Sequence, residues 1–460
     1  MKKTLAILLA MGTAALAGTT NVGTATWNAN QINGYTSEDV INHTGNSDLT
    51  LSGGPGGAVP HNLTGDPTST LKAQLNLTQN NSNVKIQEGV ITLQKVNYNP
   101  DLEYVLGFKN GKDLTIESLT GGAGSTVRFR RENGDGGSIN FTNLTGANSF
   151  SGTIAMAHAG TGSNTGTNYL VLSNSDAVSN ANLKFEQASG NGKSIVQLNV
   201  AEASVKSLSG VNGNIQLCNL AGNNGVTAAT LTITQGSEAS FSGEIGAGVT
   251  LVVAEGASQK FGNVTMTSPK LVVNGTMTIE QQSGTTYAAD SLTLAGGATF
   301  TLGSESDHSG RKLTATVLTV NATNAAATTL NADLDLNSTT KLTMNGVLTL
   351  GCDLDLGKGD VELAGSLLQQ LLDSEGSSAI TLFNGVDTMK GSTNPSQMSA
   401  ASVFSNRELV DSEGITYTVT YANEQVSLVK TVSDPAVPEP ATGSLSLLAL
   451  AGLCARRRRK

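Results

Sequence analysis

The sequence predicts an all-β protein built as a parallel β-helix, or β-solenoid, of short rungs rich in Gly, Asn and Thr. Between about residues 69 and 432, short runs alternate between apolar and polar side chains, and most close at Gly or Asn. A period of two is the spacing of a strand that buries one face. Aromatic residues, which fill sandwich cores, make up only 4% of the 460 residues, and only 9 residues are Pro. Small alternating side chains can instead stack from one rung to the next.

Serial β-sandwiches are the alternative for this body of the chain. The runs begin at unequal intervals, whereas a regular solenoid has one fixed period. Representative runs are LKAQLNL (71–77), STVRFR (125–130), ATLTI (229–233), TATVLTV (314–320) and TYTVTY (416–421). One helix is predicted inside the body, over 366–373, where leucines recur every three to four residues.

The N-terminal segment 1–17 has the features of a secretory signal peptide with a helical apolar core. Lys2 and Lys3 precede an apolar run, and Ala15 and Ala17 form an A-x-A site with cleavage expected after Ala17. The Sec translocon and signal peptidase are therefore expected partners. Residues 18–68, rich in Gly, Asn, Ser and Thr, are predicted to form an irregular cap or linker.

The body between the two ends is strongly acidic. Leaving out the two lysines of 1–17 and the five basic residues of 456–460, 20 Lys and Arg face 36 Asp and Glu, a net charge of −16. Such a charge disfavours nucleic acid and anionic membranes as partners. Cys218 and Cys352 remain in this part of the chain, and we expect buried free thiols, with a single disulfide as the alternative.

The C-terminal segment 433–460 has three parts. Pro438, Glu439 and Pro440 precede an uncharged stretch, 441–455, and a basic cluster, 456–460. As a helix, fifteen residues span about 22 Å, less than a bilayer core, and the cluster would stay on the cytoplasmic side. The segment is therefore predicted to be a temporary membrane anchor that a protease removes. The basic residues are Arg456, Arg457, Arg458, Arg459 and Lys460.

These three parts resemble the PEP-CTERM sorting signal of Gram-negative bacteria, which exosortase-type enzymes read. The resemblance implies cleavage near 438–440 and a transient inner-membrane anchor. It also implies delivery to the cell surface or to an extracellular polysaccharide matrix, with the membrane contacted only through the tail before processing.

A second resemblance covers residues 143–186 and, more loosely, 231–256. Both segments contain Phe-Ser-Gly, at 150–152 and 241–243, and are similar to the autotransporter-associated β-strand repeat. This resemblance implies a right-handed parallel β-helix like that of a secreted passenger region.

The sequence assigns no catalytic, cofactor-binding or metal-binding residue. G-x-S-x-G, P-loop, H-E-x-x-H and C-x-x-C motifs are absent. Acidic residues that alternate with Leu are the main candidates, because both acids of a pair lie on one strand face about 7 Å apart. They suit general acid–base work or Ca²⁺, although solvated outer faces explain them as well. The paired candidates are Asp333, Asp335, Asp353 and Asp355, and Asp360 is a further candidate that follows them.

Two further patterns have simpler explanations. Arg128 and Arg130 share a strand face and could grip a sulfated or uronic sugar, or else protect a strand end from aggregation. Thr-x-Thr pairs, among them 276/278 and 299/301, are separated by unequal intervals. No fixed rung length produces such intervals, so ordinary strand propensity is the expected cause.

Together these observations predict an exported surface or extracellular-matrix protein with a structural or adhesive role and no catalytic activity. The alternative is a β-helical glycosidase or lyase that degrades polysaccharide with strand carboxylates such as Asp353 and Asp355. No cofactor is expected, and Ca²⁺ is the one ion left open. Extracellular polysaccharide is a candidate partner.

Overall fold

A computed structural model describes residues 18–432 with internal gaps. The predicted signal peptide (1–17), the C-terminal segment (433–460) and residues 366–372 of the predicted helix lie outside the described residues. The gaps are 23–24, 44–48, 53–67, 78–82, 89, 99–102, 109–112, 132–138, 159–166, 187–192, 220–223, 281–285, 305–309, 323–326, 337–340, 351, 356–359, 364–372, 374–375, 377, 388 and 391–414.

The described part of the chain is almost entirely β-structure. Its first strands and one short helix are β1 (Thr19–Val22), β2 (Ala25–Trp27), α1 (Ala29–Asn33), β3 (Val40–His43), β4 (Leu49–Ser52), β5 (Thr68–Leu77), β6 (Asn83–Glu88), β7 (Val90–Tyr98), β8 (Glu103–Phe108), β9 (Asp113–Ile116), β10 (Leu119–Thr120), β11 (Thr126–Arg131) and β12 (Ile139–Leu144). The next are β13 (Thr153–His158), β14 (Thr167–Leu172), β15 (Asn182–Phe185), β16 (Lys193–Leu198), β17 (Glu202–Val205), β18 (Ser207–Leu217), β19 (Ala229–Ile233), β20 (Gly236–Ile245), β21 (Val249–Val253), β22 (Ser258–Met266), β23 (Lys270–Val273) and β24 (Thr276–Ile279). The last are β25 (Thr286–Ala295), β26 (Thr299–Leu302), β27 (Lys312–Asn321), β28 (Thr328–Asn331), β29 (Asp333–Asp335), β30 (Lys341–Met344), β31 (Leu348–Leu350), β32 (Leu354–Asp355), β33 (Asp360–Leu363), β34 (Ser378–Asn384), β35 (Met389–Lys390), β36 (Ile415–Ala422) and β37 (Gln425–Val432).

These strands stack in parallel into three columns. The first column runs through β2, β4, β6, β8, β11, β13 and β15, then through β18, β20, β22, β24, β26, β28, β31 and β34. The second column begins at β5 and passes through β7, β9, β12, β14 and β16 to the ends of β18, β20 and β22. Farther along the chain, a further parallel series consists of β25, β27, β29, β32 and β35.

The third column contains β1, β3 and the ends of β5 and β7 with β10. Farther along the chain it contains β17, β19, β21, β23, the ends of β25 and β27, β30 and β33. Successive parallel rungs of this kind define a β-solenoid, so the predicted fold class is confirmed. The sandwich alternative is wrong, because sandwich sheets are antiparallel.

The rungs stack in parallel although their lengths differ, with local register shifts in some pairs of strands. In the first column, Ser258 pairs with Thr276, 18 positions later, whereas Leu348 pairs with Phe383, 35 positions later. Residues between strands absorb the difference, so an uneven period is compatible with stacking. Thr276 and Thr278 pair directly with Thr299 and Thr301. Two of the Thr-x-Thr pairs therefore stack on each other, although the intervals between such pairs are unequal.

Side chains that point inward form ladders of apolar groups. In the third column Leu231, Leu251, Leu271 and Leu292 pair in register and are buried. Each such side chain contributes about 1.5–3 kcal/mol by leaving water. The buried leucines therefore stabilise the stacking of the rungs, and alternation with outward Thr, Ser and Val keeps the leucines on the inner face.

The Phe185 ring in the first column fills space that a glycine on a neighbouring strand leaves open. The ring of Phe185 contacts that of Phe241, two rungs away, with centroids 5.3 Å apart, and Phe241 contacts Phe261 at 6.3 Å. On the intervening strand β18, a Cβ at Gly213 would lie 2.5 Å from the Phe185 ring. Glycine therefore leaves the space that the ring fills.

The two ends of the described chain are built differently. Near the N-terminus, β1–β4 pair in parallel with later rungs, so parallel pairing extends into residues 18–52. The side chain of Asn28 caps α1, accepting from the backbone N–H groups of Asn30 and Gln31. Near the C-terminus, β34 pairs antiparallel with β37, which pairs antiparallel with β36.

Among the described residues, no helix is long and apolar enough to cross a membrane. The predicted anchor, 441–455, lies outside them.

Candidate functional site

The candidate aspartates come together on two neighbouring rungs. Asp335 of β29 pairs with Asp355 of β32, and the backbone N–H of Asp353 donates to the Asp333 carboxylate over 3.3 Å. Leu334 and Leu354, between the acids, are buried, whereas all four aspartates are half-buried. The alternation with Leu therefore directs the acids outward as expected, and register turns two pairs into one aspartate ladder (Asp333, Asp335, Asp353 and Asp355).

Asp360 does not join the aspartate ladder. It lies at the start of β33 in the third column, where it pairs with Lys341 of β30. The ladder is itself followed in register by Lys390 of β35 and preceded by Lys312 of β27.

The expected distances between carboxylates in the aspartate ladder are close to the separation that retaining glycosidases use. Neighbouring rungs are about 4.8 Å apart, and acids of one strand are about 7 Å apart. Retaining glycosidases use carboxyl groups about 5–5.5 Å apart. In the described part of the chain, no group of three or more His, Cys, Asp or Glu residues is arranged to hold a metal ion.

The thiol of Cys352 lies beside the aspartate ladder. Burial and the negative charges of Asp333, Asp387 and Asp353 raise the pKa of Cys352 to about 12. A thiol that stays protonated is neither a nucleophile nor a metal ligand at neutral pH. Cys218 and Cys352 are both buried and form no disulfide.

Arg128 is held by an acid from two rungs away. Its Nε and Nη2 donate to the two carboxylate oxygens of Glu186 over 2.6 and 3.0 Å, and Lys184 approaches the same carboxylate at 3.2 Å. Burial pushes the pKa of Glu186 up, but the hydrogen bonds and charges of Arg128 and Lys184 outweigh it and hold that pKa below its ordinary value.

This ion pair bears on the sugar contact considered for Arg128. Glu186 occupies the Nε–Nη2 edge of the guanidinium, so that edge is not available to a sulfated or uronic sugar. The side chain of Arg130 lies outside the described residues. No sequence signal indicates this pairing, since the two partners are 58 positions apart.

A polar groove of about 410 Å³ lies where β5, β7 and β10 adjoin in the third column. Sequence reasoning missed it, because its lining comes from three separate rungs and matches no motif. Thr120 Oγ1 donates to Asn97 Oδ1 over 2.8 Å inside the groove. The lining residues are Gln74, Gln94, Lys95, Val96, Asn97, Glu117, Ser118 and Thr120.

The predicted processing residues lie outside the described residues. They are Ala15, Ala17, Pro438, Glu439, Pro440, Arg456, Arg457, Arg458, Arg459 and Lys460. Their assignment is therefore a matter of sequence alone.

Comparison with protein families identifies one of these segments. Residues 436–460 match the family model of the PEP-CTERM protein-sorting motif. The chain carries a PEP-CTERM tail. It is thus an exported protein with a C-terminal sorting tail, processed by exosortase-type machinery. No curated protein and no solved structure matches the chain.

The PEP-CTERM match covers the tail and not the body, so the likeness to autotransporter repeats stays a prediction. Structurally, the two Phe-Ser-Gly segments occupy different positions. Phe150 precedes β13 of the first column, whereas Phe241 lies inside β20, at the transition from the first column to the second. In both, a Cβ on the glycine would approach a carbonyl oxygen of the previous rung, Ser125 O at 2.1 Å or Gly213 O at 2.0 Å.

Proposed function

We propose that this protein is a structural or adhesive component of the cell surface or of an extracellular matrix, without catalytic activity. The PEP-CTERM tail carries the proposal, because a sorting signal is useful only to a protein that leaves the cytoplasm. The parallel solenoid supports it by presenting long outer faces on a regular core. The net charge of −16 over the body, as counted above, favours solubility outside the cell.

Processing of the tail is the first experiment. We expect the native protein to end near Pro440 and to occur in surface or medium fractions, as measured by C-terminal peptide mass spectrometry on separated cell fractions. A Glu439→Ala variant should keep its tail and stay with the inner membrane, whereas Glu424→Ala, in the turn before β37, serves as a control that should be processed normally. Persistence of Arg456–Lys460 in a membrane fraction of the unaltered protein would contradict the proposal.

The second candidate function is polysaccharide cleavage by the aspartate ladder. The observation that favours it is the register of Asp335 on Asp355, which places carboxylates on neighbouring rungs at about the separation used by retaining glycosidases. Reducing-end and unsaturated-product assays on a polysaccharide panel test it directly. Turnover that is lost in Asp353→Asn and kept in Asp290→Asn, an exposed acid of β25, would replace the structural proposal by this one.

A calcium-stabilised adhesin is a variant of the structural proposal. The aspartate ladder is the place where added Ca²⁺ would act, because oxygen ligands suit this ion. If calcium belongs to the protein, a chelator should lower its melting temperature, and Asp335→Asn should reduce that effect. An unchanged melting temperature removes this variant and leaves the structural role as proposed.

A further inference from the structure

We infer that the groove lined by β5, β7 and β10 binds a segment of a neutral oligosaccharide. This inference deepens the adhesive role proposed above and rests on it. The groove volume of about 410 Å³ falls within the usual range for small-ligand sites.

The lining matches the hydrogen bonding of a sugar. Gln74, Gln94 and Asn97 supply carboxamides, and Ser118 and Thr120 supply hydroxyls. A carboxamide holds a donor and an acceptor side by side, which suits two adjacent hydroxyl groups that each donate and accept. Val96 is the one apolar residue of this lining.

The groove is held in shape by the solenoid itself. Thr120 Oγ1 donates to Asn97 Oδ1, which fixes the orientation of that amide. Backbone hydrogen bonds also join the strands that line the groove. The N–H of Val96 donates to Ser118 O over 2.9 Å, and the N–H of Glu117 donates to Leu93 O over 3.0 Å. Because these groups are already ordered, little further ordering opposes binding.

Charge selects a neutral ligand. The lining carries one cation, Lys95, and one anion, Glu117, both exposed, so its own net charge is zero. A ligand without net charge, such as a polyhydroxylated chain, therefore fits a lining whose own charges balance.

The test uses the exported, processed protein and neutral tetrasaccharides of β-1,4-glucose, β-1,3-glucose, α-1,6-glucose and β-1,4-mannose. With saturation-transfer NMR and calorimetric titration, we expect at least one of them to bind with a dissociation constant of roughly 1 mM. The paired change Gln94→Ala and Asn97→Ala should weaken that binding about tenfold, because sugar hydroxyls lose their partners. Gln235→Ala, in an exposed turn elsewhere, is the matched control and should bind as the unaltered protein does.

Several outcomes would overturn the inference. They are no binding of any neutral tetrasaccharide at tens of millimolar, equal binding by the paired variant, or preferential binding of an oligogalacturonate. Far-UV circular dichroism and thermal melting establish that the variants fold, and Gln94→Ala alone replaces the pair if it does not. An exported, processed protein that binds no sugar refutes this inference alone, whereas an unprocessed chain in the inner membrane refutes the proposed function.

Discussion

The interior of the first column and the outer surface at β29 and β32 are both built by parallel stacking, but the residues that meet across rungs differ in kind between the two regions. In the interior, the Phe185 ring lies against a strand where Gly213 leaves room, so a large side chain on one rung meets a small residue on the next. Outside, Asp335 stacks on Asp355, although like charges directly opposite each other are unfavourable. The comparison indicates that steric fit restricts interior residues closely, whereas outer residues can keep an unfavourable neighbour.

The largest expected effect is on the interior side of this comparison. Gly213→Ala should lower the free energy of unfolding by about 2–3 kcal/mol, because its Cβ would lie 2.5 Å from the Phe185 ring. Urea denaturation measures this loss. In a Phe185→Ala background the same change should cost less, because the ring atoms that the added Cβ would meet are absent.

Gly256→Ala is the control for the effect of backbone conformation. Gly256 has φ +74° and no atom within 4 Å of an added Cβ, so this change should cost about 1 kcal/mol. Gly213 is not among the glycines with a positive φ, so a loss at Gly213 no larger than at Gly256 would mean that the ring does not restrict this position.

The next effect concerns the matched charges of the outer surface. Arg128→Ala should lower the free energy of unfolding by about 1–2 kcal/mol at pH 7, since Glu186 loses its forked partner. The folded-state pKa of Glu186 lies below its ordinary value of 4.5, so the pair stabilises the fold above that pH. This contribution is lost as the pH falls through the folded pKa, and the two proteins should then converge in thermal melts.

Lys184→Ala is the comparison for the Arg128 change. The Lys184 side chain is 50% exposed, so its ion pair with Glu186 should contribute less than 1 kcal/mol, as is typical of exposed pairs. A larger loss at Lys184 than at Arg128 would contradict the importance of the forked contact.

A smaller effect, of opposite sign, is expected in the aspartate ladder. Asp335→Asn should raise the free energy of unfolding by about 0.5 kcal/mol at low salt, because it removes one of two stacked charges. The gain should shrink as added salt screens the repulsion. Asp290→Asn tests whether any lost charge stabilises the acidic chain, and an equal gain there would show that the stacking is not the cause.

The last prediction concerns the reactivity of the Cys352 thiol, which lies between the interior and the aspartate ladder. Its effect on stability is expected to be the smallest. Cys352 should resist iodoacetamide in the native protein at pH 8 and react fully in denaturant, because its pKa is raised to about 12. Peptide mass spectrometry measures the modified fraction site by site. Asp333→Asn should change it little, since burial is the largest cause of the shift, and rapid native labelling would contradict the buried position.

Only part of the candidate sites could be predicted from the sequence. Alternation of Asp with Leu correctly predicted that Asp333 and Asp335 share an outer face. It did not show that Asp355 lies directly beside Asp335, because the number of residues between rungs varies. For the same reason the partner of Arg128 and the lining of the polar groove had no signature in the chain.

The sequence by itself determined the β-structure of this protein, its acidic body and its sorting tail. These properties depend on residue alternation, summed charge and a contiguous motif, all of which are local along the chain. Only the tertiary structure decided which residues meet across rungs: Phe185 with Gly213, Arg128 with Glu186, and Gln74 with Gln94 and Thr120 around one groove. Parallel stacking joins residues that are 18 to 36 positions apart on successive rungs of the first column, and the number of residues between the paired strands sets that distance.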